Sequence, residues 1–221
     1  LNEVLGPAYS ISHFDSLPIR FRCIATDILT GDAVVHDRGN LVTAVRSSMA
    51  IPSVFTAIDL HGKRLIDGGV VRNFPVRDAK AMGADLLIGV NVSQAVIPPE
   101  QLNSAINILY QTAFLGSSED FQQELRLLDL FIDMDLGAYS AASFGSSDSI
   151  LAIGKEVGDR FYPYFKRLAD SLQALYPPPA KRKSLAAEQS VFIRGITIDG
   201  LHRTTRSAFL ERSGLRANAP Y

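Results

Sequence analysis

Two kinds of residue in this chain could do chemistry together: a carboxylate beside glycines, and serines beside glycines. Asp67-Gly68-Gly69 follows a short apolar strand candidate, Arg64-Leu65-Ile66. A carboxylate at a strand end is placed to act as a general base, and the two glycines let another backbone or a substrate come close. The triplet is equally a turn signal, because Asp-Gly pairs tolerate the positive φ of tight hairpins. Two neighbouring segments strengthen the site reading. Ser47-Ser48-Met49-Ala50-Ile51-Pro52 is a run of mostly small residues before it, and Asn73-Phe74-Pro75 is a polar turn after it. On the purely structural reading, Ser47 and Ser48 end one helix and Asn73 caps the next.

A base needs a nucleophile to serve. The Gly-x-Ser-x-Gly turn that lifts a serine above a sheet occurs nowhere in the 221 residues. Ser117 and Ser118 after Gly116, and Ser146 and Ser147 after Gly145, are the serine pairs that follow a glycine. They lie in polar stretches that do not join a buried strand to a helix. Cys23 is the only cysteine, so an internal disulfide and a cysteine-based metal site are excluded. Its apolar run, Phe21 to Ala25, reads as the setting of a buried, inert thiol. His13, His36, His61 and His202 form no ligand spacing, and most are expected at the surface or in turns. No metal and no organic cofactor is expected.

The bulk properties narrow the class. Hydrophobic content of 47% with 20% charged residues suits a globular α/β protein able to build a core. A net charge of -1, with no basic helix or RNA-binding motif, gives no case for nucleic acid. Lys181-Arg182-Lys183 follows Pro177-Pro178-Pro179 and reads as a solvated linker, with attraction to a membrane or phosphate as the second reading. No apolar run approaches the ~18 residues that span a bilayer, and no signal peptide is visible. The chain opens at Leu1 rather than Met, so the expectation is a fragment of a longer protein.

The elements that must position Asp67 follow from periodicity and turn residues. A strand is expected from Ile19 to about Ile28, returning through Thr30-Gly31-Asp32 into Ala33–His36. Asn40 is placed to cap a helix over Leu41–Arg46, and Pro52 ends that segment. Ala57–Leu60 and Lys63–Ile66 form a second hairpin about His61-Gly62. A helix is expected from Val76 to Met82 with Gly83 as its stop. The apolar run Leu86–Val92 then reads as a buried parallel strand in a doubly covered sheet. Further on, the pattern predicts helix across about 100–127, a strand at Leu128–Ile132 and a long amphipathic helix over 148–176 with Pro163 inside. A linker is expected over 177–190, then a strand at Val191–Ile198 and a short helix at Thr204–Arg212.

Four blocks in order carry a family resemblance: Asp15–Ile28, Ala44–Phe55, Leu65–Val76 and Ala81–Asp85. Together they resemble the bacterial patatin-like phospholipases over about residues 15–175. The resemblance implies a partial three-layer α/β/α sheet in residues 1–176. It assigns the base role to Asp67 within the Asp67-Gly68-Gly69 motif, paired with a serine in a Gly-x-Ser-x-Gly elbow and acting without histidine. That elbow and the family's glycine-rich oxyanion loop belong to an N-terminal part of the domain expected before Leu1. The implied activity is hydrolysis of phospholipid carboxylic esters, with the phospholipid and a membrane surface as partners and the isolated chain inactive. A lysophospholipase or neutral-lipid esterase, or a non-catalytic envelope module, stays open, as does homo-oligomerisation.

Phe192–Thr205, closing with Gly214-Leu215, resembles the opening of a POTRA domain. This implies a truncated, small α+β unit over residues 191–221. With it comes an expected place in the bacterial envelope, at the outer membrane or cell surface, or secretion.

Overall fold

A computed structural model of the chain describes residues 1–93, 100, 102, 108, 111–112, 117–137, 139, 143–177, 185, 192–198, 205–216 and 218–220. In chain order the elements are α1 (Asn2–Leu5), β1 (Cys23–Asp27), β2 (Asp32–His36), α2 (Leu41–Ser48), β3 (Ile58–Leu60) and β4 (Lys63–Asp67). After a 3-10 turn at Gly68–Val70 come α3 (Val76–Ala81), β5 (Ile88–Asn91), α4 (Ser117–Leu125), β6 (Leu130–Asp133) and α5 (Ser147–Leu175). β7 (Phe192–Ile193), α6 (Arg206–Ser213) and β8 (Ala219–Pro220) close the chain.

Tight turns dictate the first sheet. Gly31 takes φ 81°, and His61 and Gly62 take φ 50° and 78°. Such turns fold β1 onto β2 and β3 onto β4, and with β1 also antiparallel to β4 the sheet β2-β1-β4-β3 is antiparallel throughout. α2 lies against β1 and β4. Asn40 starts it, its side-chain oxygen accepting the Thr43 N–H at 2.9 Å. Its buried face presents Leu41, Ala44 and Ser47, and the first two join Ala8 and Phe14 in the core. Leu185, inside the expected linker, packs against that same cluster. The rest of 178–190 lies outside the described residues.

The strand expected from Ile19 begins only at Cys23. Phe21 gives its N–H to the Phe14 carbonyl at 3.3 Å, so the approach to β1 is spent on a loop contact rather than a ladder. The second hairpin forms as expected. So does the helix after Pro75, with Gly83 beyond it at φ 85°. Its cap differs. Asn73 donates to Ser93 Oγ at 2.9 Å and does not cap α3. Glu124, fully buried on α4, takes the Arg77 backbone N–H at 2.7 Å and also pairs with the Arg77 guanidinium. α4 thus supplies the anion at the start of α3.

The expected single, doubly covered sheet is not what the described strands form. Parallel pairing is confined to β5 and β6, in the register Ile88↔Leu130 to Asn91↔Asp133, and makes a separate two-stranded sheet. One side of it rests on Phe74, Phe121 and Phe131, whose ring centroids lie 5.1 to 6.1 Å apart. Gly89 faces that side, with the Phe74 ring and Leu128 close enough that a Cβ would meet them at 2.6 Å. The alternate residues Ile88 and Val90 face the other side and remain 40% and 46% exposed.

Of the helix expected over 100–127, α4 is described; most of 94–116 lies outside the described residues. The long helix runs unbroken from Ser147 to Leu175 with Pro163 inside it. Among the described residues no helix is long and apolar enough to cross a membrane. At the C-terminus β7 pairs antiparallel with β8 and α6 lies between them in sequence. Thr205 Oγ1 accepts the Ala208 N–H to start α6, and Gly214 ends it at φ 69°. The strand expected over Val191–Ile198 is confined to Phe192–Ile193.

Candidate active site

Asp67 is the last residue of β4, and its main chain is fixed from two sides. It stands opposite Ala25 in the ladder with β1, and its N–H bonds to the Ala50 carbonyl at 3.0 Å. The chain then enters the 3-10 turn, which Asp67 caps. Its Oδ1 accepts the Gly69 N–H at 2.8 Å. Oδ2 has no hydrogen-bond partner among the described residues. Gly68 is required for steric reasons, because a Cβ there would lie 2.2 Å from the Ile24 carbonyl oxygen. The glycine lets the turn sit directly on β1, and the carboxylate is held over the edge of a cavity of about 660 Å³.

The cavity runs from this corner to the end of α3. Cys23, Ser48, Gly69 and Asn73 line it, together with Arg20, Arg22, Arg72 and Asp78. Burial raises the Asp67 pKa above the ordinary carboxylate value, against the opposing pull of the Gly69 N–H. An adjacent cation would reverse that effect, but two of the three arginines are committed elsewhere. Arg22 holds Asp15 through Nη1 at 2.9 Å and Nη2 at 3.0 Å. Arg72 Nη1 sits between the two oxygens of Asp78 at 2.9 and 3.1 Å. Asp67 has no ion-pair partner among the described residues. The result is a carboxylate oriented through one oxygen, with a raised proton affinity and the second oxygen available.

Cys23 is half-buried rather than lost in the core, and it borders the same cavity. Burial pushes its thiol up to about 11, opposed by a hydrogen bond with the Ser48 side chain. It is therefore protonated at neutral pH and a poor nucleophile, as its apolar setting implied. His36 departs from the surface placement expected for most of the histidines: it is 7% exposed. Its Nε2 lies 2.9 Å from Ser47 Oγ, which resembles a nucleophile–base pair. The proton placement excludes that role. Ser47 Oγ donates to the Ala44 carbonyl at 2.8 Å, so Nε2 carries a hydrogen and donates to Ser47. Ser47 is also wholly buried. The pair ties β2 to α2, in keeping with the helix-end reading of Ser47.

Ser117 and Ser118 begin α4, and Ser146 and Ser147 lie at the start of α5; Ser146 and Ser147 do not line the cavity. Among the described residues no three His, Cys, Asp or Glu side chains converge as a metal site. The arginines were missed as site residues. The available signal was Arg20-Phe21-Arg22, two cations flanking an aromatic at the mouth of a buried strand.

The comparisons cover the stretch that contains this corner. Residues 3–80 match the model of the patatin-like phospholipases. An uncharacterised NTE family protein of Mycobacterium tuberculosis is 33% identical over 99 residues, which is 45% of this chain and 26% of that protein. A protein named lysophospholipase NTE1 from Scheffersomyces stipitis is 29% identical over 94 residues, covering 42% of this chain and 6% of its own length. Its namesake in Meyerozyma guilliermondii is 28% identical over 91 residues, 41% and 6% of the two chains. The chain thus spans about a quarter or less of the length of these curated relatives. The family match ends at residue 80, well short of the expected reach to about 175. The stretch matched to that family takes in the Asp67 corner.

Proposed function

We propose that this chain carries the general-base half of a lipid acyl hydrolase that cleaves carboxylic esters of phospholipids or lysophospholipids. The observation that carries the reading is the state of Asp67: half-buried, unpaired, fixed by the Gly69 N–H through Oδ1, and with Oδ2 open to the cavity. In the proposed reaction a serine on a part of the protein outside these residues attacks the ester carbonyl. Its proton passes to Asp67 Oδ2. Collapse of the tetrahedral intermediate expels the lysolipid or glycerol alcohol, which takes that proton, and leaves the acyl-serine. Asp67 then deprotonates a water that releases the fatty acid. The oxyanion donors also come from outside these residues. The name lysophospholipase borne by the two yeast relatives supports a single-chain lipid as one substrate.

The POTRA-like reading of residues 191–221 is part of the proposal, as is an envelope location. A strand pair with a helix between its strands in sequence supports the former, and the latter rests on the sequence resemblance alone. The test is Asp67→Asn in the full-length protein. Esterase turnover on phospholipid should fall by at least about a hundredfold. Near-normal turnover would sink the base assignment. The competing reading, a non-catalytic module with the same corner, predicts that wild type and variant are equally inert.

A further inference from the structure

The cavity holds three arginines, and their partners sort them. Arg22 is neutralised by Asp15, and Arg72 by Asp78, in pairs of 2.9 Å. Arg20 has no ion-pair partner among the described residues. Asp15 feels its field but gives its two oxygens to Arg22. Arg20 Nη1 donates to the Met82 carbonyl at 3.0 Å, at the C-terminal end of α3. That bond anchors the guanidinium at the cavity wall and uses one of its five N–H donors. The remaining fork is what a phosphate oxygen pair recognises.

Arg20 and Asp67 are also connected through the first sheet. It is three residues ahead of Cys23, so their Cα atoms are at most about 10 Å apart. Cys23 is two residues from Ala25, the partner of Asp67, on the same face of the sheet. Asp67 and the unpaired cation thus line one cavity, Asp67 at its β4 corner and Arg20 toward the end of α3. In a glycerophospholipid only the glycerol backbone separates the ester from the phosphate.

Resting on the hydrolase reading above, we propose that Arg20 is the specificity residue of this site, holding the phosphate of the lipid headgroup while the ester faces Asp67. Arg22 and Arg72 keep the walls in place and leave that phosphate to Arg20.

The test uses the full-length protein with Arg20→Gln and Arg20→Lys, on a lysophosphatidylcholine and on the monoacylglycerol of the same acyl chain. In Arg20→Gln the ratio of kcat/KM for the phospholipid to that for the neutral ester should fall by at least about tenfold, mostly through KM. Arg20→Lys should recover part of it, since the charge survives and the fork does not. An unchanged ratio, or equal loss on both substrates, overturns the proposal.

A second readout does not depend on turnover. Calorimetry with an ether-linked lysophosphocholine, which has no ester to cut, should show binding weakened by Arg20→Gln, and no such weakening for the corresponding alkylglycerol. Equal effects on the two ligands overturn the proposal. If the full-length protein cleaves no ester, the hydrolase reading falls and the ether lipids still decide Arg20. Inorganic phosphate is the last arm. Binding of free phosphate as tight as that of the ether lipid would make this an anion site unrelated to headgroups and overturn the proposal.

Discussion

The charge state of a single carboxylate sets what the cavity can do and what it costs the fold. Burial raises Asp67 above the ordinary value of about 3.9. A base works only when deprotonated, so kcat/KM of the full-length protein should rise with pH through that raised value. Its acid limb is expected above the ordinary carboxylate range, and a limb at or below it would contradict the assignment. The stability contribution runs the other way. Because the folded pKa is raised, it is full below the unfolded value and is lost as pH rises through the folded one. Asp67→Asn, which can keep the Gly69 bond through its amide oxygen, should therefore melt no lower than wild type at pH 7 while turnover is lost. The neighbouring glycine carries a different cost. Gly68→Ala drives a methyl into the Ile24 carbonyl, so a loss of about 3 kcal/mol is expected in urea unfolding. Gly89→Ala meets only the ends of the Phe74 and Leu128 side chains, which can shift, and should cost about 1 kcal/mol. Equal midpoints for the two variants would contradict this reading.

Between elements, the joints are polar and sequence-distant. His36 on β2 donates to Ser47 on α2, and burial holds its pKa below 6.5 against the nearby Asp37 charge. Its contribution is full above the unfolded value of 6.5 and is lost as pH falls toward the lower folded value. A melting temperature that declines from pH 7 to pH 5 should decline less in His36→Gln, which keeps a donor and cannot titrate. An unaltered slope would assign the acid sensitivity elsewhere. This joint also shows what could be foreseen. Gly31, Gly62, Asn40 and Gly83 announce turns, a cap and a stop through conformational demands that act within a few residues, and each stands where it was expected. Asp67-Gly68-Gly69 was legible for the same reason. Glu124 at the start of α3, Asp15 on Arg22 and Ser47 on His36 were not, because those pairings exist only after tertiary folding. The sheet failed for a related reason: an apolar run reports hydrophobicity and not which face will be covered.

At the scale of the molecule, the parallel pair leaves an open apolar side. Ile88 and Val90 of β5, with Leu86 and Val92 just beyond its ends at 39% and 60% exposed, make an apolar row. Such a stripe favours association of the isolated chain. Val90→Thr should lower its light scattering at high concentration, and an identical concentration dependence would show the stripe to be inert. The contact between Gly68 and Ile24 has a further consequence. In sliding β4 along β1, nearly every alternative alignment presses a side chain against that carbonyl. The slip that offers Gly69 instead turns the carboxylate to the opposite face. The missing methyl group acts as an alignment check, admitting one frame and rejecting its neighbours. Molecules that pass it carry the Asp67 carboxylate in one position. Mild destabilisation elsewhere should then reduce how much protein folds while leaving the work done per folded molecule constant.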